Sequence, residues 1–210
     1  MNHRHHLELR HIRITLDDHC LVELDARVGP GEVLTVMGPS GSGKSTLLAF
    51  LAGFLSEAFD ATGRVLLDGQ DITPFPPEKR GMGLLFQDPL LFPHLSVAGN
   101  LRFGLPPASP DKAERVEQAL AQIGLESFGD RDPDTLSGGQ KARVALMRLL
   151  LSNPCAVLLD EPFSKLDTHL RHEMRQLVFD RLHDAGLPTL LVTHDHDDAR
   201  DAGGQVIELS

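Results

Sequence analysis

The sequence predicts an α/β protein in which a parallel sheet carries an inserted helical subdomain, and three observations support this fold class. A continuous apolar run at 33–37 is typical of a strand that is buried on both faces of a parallel sheet. This run leads directly into a glycine-rich turn and a helix predicted over 44–53. Between residues 93 and 153 strand patterns disappear and helical spacing takes over. We therefore expect one domain, with a core over 7–92 and 154–210 and a helical subdomain over 93–153.

Local patterns place the other elements in chain order. Strands are predicted at 7–16 and 20–28, because apolar and polar residues alternate in the second of them. The pair Asp68-Gly69 indicates the turn of a hairpin within 63–72. The remaining predictions are apolar strands at 83–86, 156–159, 189–192 and 205–209 and helices at 96–103, 111–123, 137–152 and 168–184.

Composition limits the class of protein. Of the 210 residues 41% are hydrophobic, so the chain can bury a sizeable core. The formal net charge of -10 argues against nonspecific nucleic-acid binding, which depends on a basic surface. With no signal-peptide pattern, Cys20 and Cys155 are expected to be reduced thiols of a cytosolic protein. The longest apolar run, 47–55, is about half as long as a membrane-spanning helix requires.

The segment from Gly38 to Ser45 carries the clearest functional signal. Its sequence, G-P-S-G-S-G-K-S, matches the phosphate-loop pattern G-x-x-x-x-G-K-[ST] in a strand-to-helix context. The glycines let successive N–H groups face one anion, and the helix N-terminus adds a partial positive charge. Lys44 would supply a full charge to the β- and γ-phosphates, Ser45 a hydroxyl to Mg²⁺, and Thr46 a contact to the α-phosphate. The predicted nucleotide contacts are Gly38, Pro39, Ser40, Gly41, Ser42, Gly43, Lys44, Ser45 and Thr46.

The apolar strand at 156–159 ends in two carboxylates, Asp160 and Glu161. In open α/β sheets, ligands bind at the carboxyl ends of the strands. We predict that Asp160 holds the shell of a Mg²⁺ ion. Because side chains alternate along a strand, we expect Glu161 to point the other way and to face an attacking water. Hydrolysis of a phosphoanhydride needs this division of roles, although Asp-Glu-Pro alone would be explained equally well as a solvated loop.

The segment L-S-G-G-Q at 136–140 precedes a predicted helix. Ser137 is a good N-cap, but two glycines in a first turn weaken a helix by up to about 1 kcal/mol each. Bare N–H groups at a helix start form a second anion site. A head-to-tail pair of chains would place the phosphate loop of one subunit and this segment of the other around one ATP. The predicted contacts in this segment are Ser137, Gly138, Gly139 and Gln140.

Taken together, these motifs resemble those of the ATP-binding cassette (ABC) ATPases over nearly the whole chain. The three segments above are similar to the family's Walker A, Walker B and signature motifs. Gln87 resembles the Q-loop glutamine, 164–167 the D-loop and His194 the switch histidine, all in the family's order. The resemblance implies a P-loop NTPase fold with a RecA-like core and N-terminal antiparallel strands. It also implies ATP hydrolysis, with catalytic roles for Lys44, Gln87, Glu161 and His194 and Mg²⁺ contacts from Ser45, Gln87 and Asp160.

The resemblance further implies partners and a location. Residues 86–94 and 96–100 are similar to import ATPases in particular. We expect a homodimer, transmembrane permease subunits bound at the surface around Gln87 to His94, and an extracytoplasmic substrate-binding protein, with no nucleic acid. The expected location is the cytoplasmic face of the inner membrane, as a peripheral subunit. A lipoprotein-release or cell-division type of ABC ATPase and a soluble non-transport ABC ATPase stay open as alternatives.

Two departures from the family pattern have consequences. The family commonly has an aromatic residue that stacks on adenine, whereas this chain has no Tyr and no Trp and aligns Leu16 there. Stacking on an aromatic contributes about 1–3 kcal/mol per base in nucleic-acid systems, so we predict weak base selection. His11 and His19 are both open as substitutes. Lys165 stands where the family usually has a small residue.

Other conspicuous residues are expected to be structural. The acidic segment after His194 is interpreted as a solvated helix cap rather than a metal site. His3, His5 and His6 are expected in a mobile N-terminal end. Two helices are expected to bury apolar stripes, which consist of Leu47, Phe50, Leu51 and Phe54 in one and of Leu170, Met174, Leu177, Val178 and Leu182 in the other.

Overall fold

The structure is a computed structural model that describes residues 5–209. His3 therefore lies outside the described residues. The strands are β1 (Leu7–Leu16), β2 (His19–Val28), β3 (Val33–Met37), β4 (Asp60–Leu67), β5 (Gln70–Asp71), β6 (Met82–Leu85), β7 (Ala156–Asp160), β8 (Thr189–Thr193) and β9 (Gln205–Glu208). The helices are α1 (Lys44–Ala52), α2 (Val97–Gly104), α3 (Lys112–Gln122), α4 (Gly138–Leu151), α5 (Thr168–Asp184) and α6 (His196–Ala202). The predicted α/β fold class is confirmed.

A parallel sheet in the order β6-β7-β8-β3-β9 brings the carboxyl ends of its inner strands to one edge. All residues of β3 and β8 are buried, as their continuous apolar runs predict. The register pairs Met37 with Thr193 and Asp160 with Val192. The segments that follow β3, β7 and β8 therefore start side by side.

A second, antiparallel sheet has the order β2-β1-β4-β5. The predicted hairpin is present, since β4 and β5 pair across a turn in which Asp68 and Gly69 both have positive φ. A bulge interrupts β1 at His11, where a side chain at Gly63 would lie 2.5 Å from the His11 carbonyl oxygen. One apolar cluster joins this sheet, α1 and the parallel sheet into a common core.

By its internal contacts the chain divides into two compact units, of which the second consists of Leu85–Pro154 and Pro162–Met174. The predicted subdomain, 93–153, falls within this second unit, which also includes a segment after β7 that the sequence did not indicate. Buried Asn100 organises the unit locally, because its amide donates to the carbonyls of Phe92, Leu95 and Ser96.

Three apolar residues are less buried than predicted. Phe54 is 50% exposed, because α1 ends at Ala52 and Gly53 adopts a left-handed conformation that turns the chain away from the helical face. Leu170 and Leu177 are only half-buried on α5. In the part of the chain that the structure describes, no helix is long and apolar enough to cross a lipid bilayer.

Candidate active site

The phosphate loop connects β3 to α1 in the first unit. Gly41 and Gly43 both have a φ of 87°, in the left-handed region that favours glycine. A side chain at Gly43 would lie 2.8 Å from Val22 Cγ2, so this glycine also permits close packing of the loop on β2. A Cβ at Gly41 would meet nothing within 4 Å. The loop thus has one face packed on the protein and one face open to a ligand.

The chemistry of the loop suits an anion. Lys44 is buried and donates to the carbonyl oxygens of Gly38 (2.7 Å) and Pro39 (2.8 Å), which hold its ammonium group over the loop. The Ser42 hydroxyl is buried and has no hydrogen-bond partner among residues 5–209. The α1 N-terminus has no side-chain cap and no acidic residue in its first turn. These features fit the phosphates of a nucleotide.

Two oxygen-bearing side chains meet where the start of α1 adjoins the end of β7. The Ser45 hydroxyl is 3.5 Å from Asp160 Oδ1. Burial, and then repulsion from the Glu161 carboxylate, raise the pKa of Asp160, while Ser45 and Lys44 oppose this. A hydroxyl beside a carboxylate that is destabilised in its charged form is a donor set suited to Mg²⁺. The residues present therefore fit a magnesium–nucleotide complex.

A turn, and not alternation along a strand, directs the side chain of Glu161. The prediction that strand alternation sets this direction is therefore wrong. The strand ends at Asp160, and Glu161 has a φ of 43°, a left-handed conformation that typically costs a non-glycine residue about 1–3 kcal/mol. Its N–H donates to Val192 O over 3.0 Å. The sequence Asp-Glu-Pro is compatible with a loop at this point, but it gave no signal for the left-handed conformation of Glu161.

His194 follows β8 and reaches Glu161. Its Nδ1 is 3.2 Å from Glu161 Oε2, and its side chain is 61% exposed. Downstream, Asp195 caps α6 by accepting from Asp197 N–H, and buried Asp198 binds Arg175. The first unit thus brings the phosphate loop, Asp160, Glu161 and His194 to one edge of the sheet.

The other predicted site residues belong to the second unit. Ser137 caps α4, and it forms a capping box with Gln140, whose Oε1 accepts from Ser137 N–H over 2.9 Å. A Cβ at Gly139 would clash with the Leu170 side chain, whereas one at Gly138 would meet nothing within 4 Å. Gln87 is exposed in the segment after β6.

The D-loop lysine has a specific partner in the same unit. Lys165 Nζ is 2.5 Å from Asp88 Oδ1, in the residue next to Gln87. Both side chains are more than half exposed, which limits the contribution of the pair to stability to about 1 kcal/mol or less. The pair joins the loop after β6 to the loop after β7.

The two candidate substitutes for the missing aromatic lie in different places. His11 sits at the bulge, where its N–H donates to Asp25 over 2.7 Å. His19 pairs with Leu16 at the end of the hairpin whose residues Leu21 and Val22 pack against Gly43. Only His19 therefore belongs to the end of the hairpin that adjoins the phosphate loop. Weak base selection stays a prediction, and similar affinities for ATP and GTP would support it.

This strand–phosphate loop–helix unit, with an acidic strand end beside it, defines a P-loop nucleotide hydrolase. The chain belongs to the ABC transporter family, whose sequence profile matches residues 21–164. The family predicted from the motifs is thereby confirmed, and with it the assignment as an ATP-binding ATPase.

Three relatives show how far the similarity extends. The chain is 45% identical over 196 residues to the uncharacterized ABC transporter ATP-binding protein YnjD of Escherichia coli, covering 92% of this chain and 90% of the relative. It is 47% identical over 180 residues to the thiamine import ATP-binding protein ThiQ of Cereibacter sphaeroides, covering 84% and 76%. It is 41% identical over 207 residues to the spermidine/putrescine import ATP-binding protein PotA of Oleidesulfovibrio alaskensis, covering 97% of this chain but only 55% of the relative.

Proposed function

We propose that this chain is the ATP-hydrolysing subunit of an ABC importer, peripheral to the cytoplasmic face of the inner membrane. Separate permease subunits would carry the substrate across the membrane after an extracytoplasmic substrate-binding protein delivers it. The observation that carries the proposal is the convergence of the phosphate loop, Asp160, Glu161 and His194 at one sheet edge. Two of the relatives are import ATP-binding proteins, one for thiamine and one for spermidine and putrescine, which supports the import direction.

Each residue of the site has a distinct task in this proposal. The backbone of Gly38 to Thr46 binds the phosphates, and Lys44 neutralises charge that develops on the γ-phosphate side. Ser45 and Asp160 would hold Mg²⁺, which supplies positive charge to the phosphate oxygens when bound. Glu161 orients the attacking water and accepts its proton. His194, beside Glu161, senses the γ-phosphate.

The L-S-G-G-Q segment supports a head-to-tail homodimer. Packing within the chain explains the glycine at position 139, because a Cβ there would clash with Leu170. Packing does not explain Gly138, where a Cβ would meet nothing within 4 Å. A glycine in the first turn lowers the stability of a helix. A glycine with no close neighbour within its own chain is therefore explained if a second molecule approaches its backbone. In the proposed dimer this molecule is the nucleotide bound to the partner's phosphate loop, and two such sites follow from the symmetry.

An exposed apolar cluster in the second unit suits a permease. Leu90 is 56% and Phe103 65% exposed, and Phe103 packs on Phe92 with 4.6 Å between the ring centroids. Exposed apolar patches of this kind mark protein interaction sites. The cluster adds Phe103 to the surface predicted to bind the permease, which runs from Gln87 to His94.

A single substitution at Phe103 tests this surface. We expect Phe103→Ser to weaken binding of the purified subunit to membrane vesicles that contain the permease subunits of its transporter, by roughly 10-fold. Phe54→Ser, at a 50% exposed phenylalanine of the first unit, is the matched control. Equal binding by both variants and the wild type would place the permease contact elsewhere.

The hydrolytic role is tested by removing only the charge of Glu161. We expect Glu161→Gln to bind ATP with unchanged affinity but to lose turnover by roughly 100-fold or more, because the amide cannot accept a proton from water. Glu117→Gln, at an exposed residue of α3, controls for the same chemical change. Phosphate release and nucleotide titration measure the two effects. Hydrolysis by Glu161→Gln at the wild-type rate would exclude Glu161 as the base.

A further inference from the structure

The position of His194 depends on its two chain neighbours. It lies in the short connection between β8, which ends at Thr193, and α6, which begins at His196. Its own side chain is 61% exposed and its contact to Glu161 spans 3.2 Å. An exposed side chain on such a connection keeps one position only if the flanking residues are fixed.

A closed ring of hydrogen bonds fixes both neighbours. The Thr193 hydroxyl donates to Asp198 Oδ2 over 2.8 Å and accepts from Asp195 N–H over 3.0 Å. Arg175 completes the ring, since its Nε donates to Asp198 Oδ1 over 2.5 Å and its Nη2 to Asp195 Oδ2 over 3.0 Å. His194 lies directly between Thr193 and Asp195 along the chain.

Burial and charge make Arg175 the member on which the ring depends. The side chains of Arg175 and Asp198 are 7% and 4% exposed, and Asp201 Oδ2 lies 3.6 Å from Arg175 Nη1. The planar guanidinium serves several carboxylates at fixed angles, which a lysine ammonium cannot do. Burial raises the pKa of Asp198, so its ionised form depends on this partner. Arg175 lies on α5, outside all six motifs that the sequence shares with the family.

We propose that Arg175 is a positioning residue for ATP hydrolysis, which holds His194 beside Glu161 by fixing Asp195 and Asp198. The inference rests on the catalytic roles proposed above for His194 and Glu161. It predicts that weakening the ring impairs turnover through His194, while the phosphate loop continues to bind nucleotide.

A spectroscopic test reads the position of His194 without using activity. In protein labelled on histidine, the His194 ring signal is assigned by its loss in His194→Ala. We expect Glu161→Gln to move this signal in the otherwise wild-type protein. The movement should be lost when Arg175→Lys is also present, and kept with Arg200→Lys, which changes a 70% exposed arginine on α6. An undiminished movement with Arg175→Lys would overturn the proposal.

Thr193→Val provides a second route should Arg175→Lys fail to fold. It removes the ring hydroxyl with little change in volume or charge, and we expect it to reduce the same signal movement by at least half. If Thr193→Val folds and leaves the movement intact, the ring does not position His194.

Kinetics separate the failure of this inference from failure of the proposed function. Arg175→Lys should lower kcat by roughly 10- to 100-fold with KM for ATP unchanged, since small misplacements of catalytic groups have effects of this size. In a His194→Ala background the same change should cause no further loss. Equal losses in both backgrounds would overturn the positioning role. Full turnover by His194→Ala itself would instead contradict the proposed role of His194.

Discussion

Asp160 is a residue of the site whose charged side chain suits a bound cation but lowers the stability of the folded protein. Its carboxylate is held at the end of a buried strand next to Glu161, and both burial and that neighbour raise its pKa. A group whose pKa is raised in the folded state binds a proton more readily there than in the unfolded chain. Ionised Asp160 therefore destabilises the nucleotide-free protein at neutral pH.

We expect Asp160→Asn to raise the melting temperature of the nucleotide-free protein at pH 7 by roughly 1–3 °C, because it removes this buried charge. The gain should fade as the pH falls towards the ordinary titration range of an aspartic acid, because the raised pKa of Asp160 means that its carboxyl is protonated in the folded protein before that range is reached. Magnesium-dependent ATP hydrolysis should be lost at the same time. Thermal unfolding across this pH range measures the effect, and Asp184→Asn at an exposed position is the control. A gain that grows as the pH falls would contradict a raised pKa for Asp160.

At the residue scale, sequence patterns predicted which residue types form the site better than they predicted how the backbone directs each side chain. The types and order of Lys44, Asp160, Glu161 and His194 were enough to predict a nucleotide site. They could not predict that Glu161 leaves the strand in a left-handed conformation, because single-residue φ is set by tertiary contacts such as its bond to Val192. Arg175 was missed because its partners are separated from it by about twenty residues and share no motif with it.

At the scale of elements, clear hydrophobic patterns correctly predicted helices and strands. The helix predicted over 168–184 has those bounds, and the buried strands β3 and β8 follow from continuous apolar runs. The prediction for Phe54 failed at an element end, where Gly53 stops α1 and redirects the chain. The assignment of 162–174 to the second unit has no local signal, because it depends on contacts between distant parts of the chain.

The first turn of α4 allows a structural glycine to be distinguished from a functional one. We expect Gly138→Ala to leave stability unchanged or to raise it by up to about 1 kcal/mol, since alanine favours the helix and the added Cβ meets nothing. Its ATPase activity should nevertheless fall by roughly 10-fold or more, because the Cβ would crowd a nucleotide bound to the partner subunit.

Gly139→Ala is the contrasting variant, and it should lose stability because its Cβ clashes with Leu170. Urea unfolding and phosphate release measure the two properties for each variant. Full activity of a stable Gly138→Ala protein would remove the argument that a nucleotide contacts this helix start.

At the scale of the whole molecule, the two anion-binding elements that we propose lie in separate compact units of the chain. The phosphate loop and its acidic partners belong to the first unit, and the glycine-rich start of α4 belongs to the second. One bound nucleotide per chain explains both elements if two copies complete each other's sites. ATP binding would then close the dimer, and the apolar cluster around Phe103 would pass that movement to the permease.

The oligomeric state of Glu161→Gln in saturating magnesium and ATP shows whether two copies of the chain share each nucleotide site. Because this variant should bind ATP without hydrolysing it, we expect a dimer of two chains and two nucleotides by light scattering coupled to gel filtration. Lys44→Ala in the same background should stay monomeric, since it lacks the charge that holds the phosphates. A Glu161→Gln protein that binds ATP but remains a monomer would contradict the shared site.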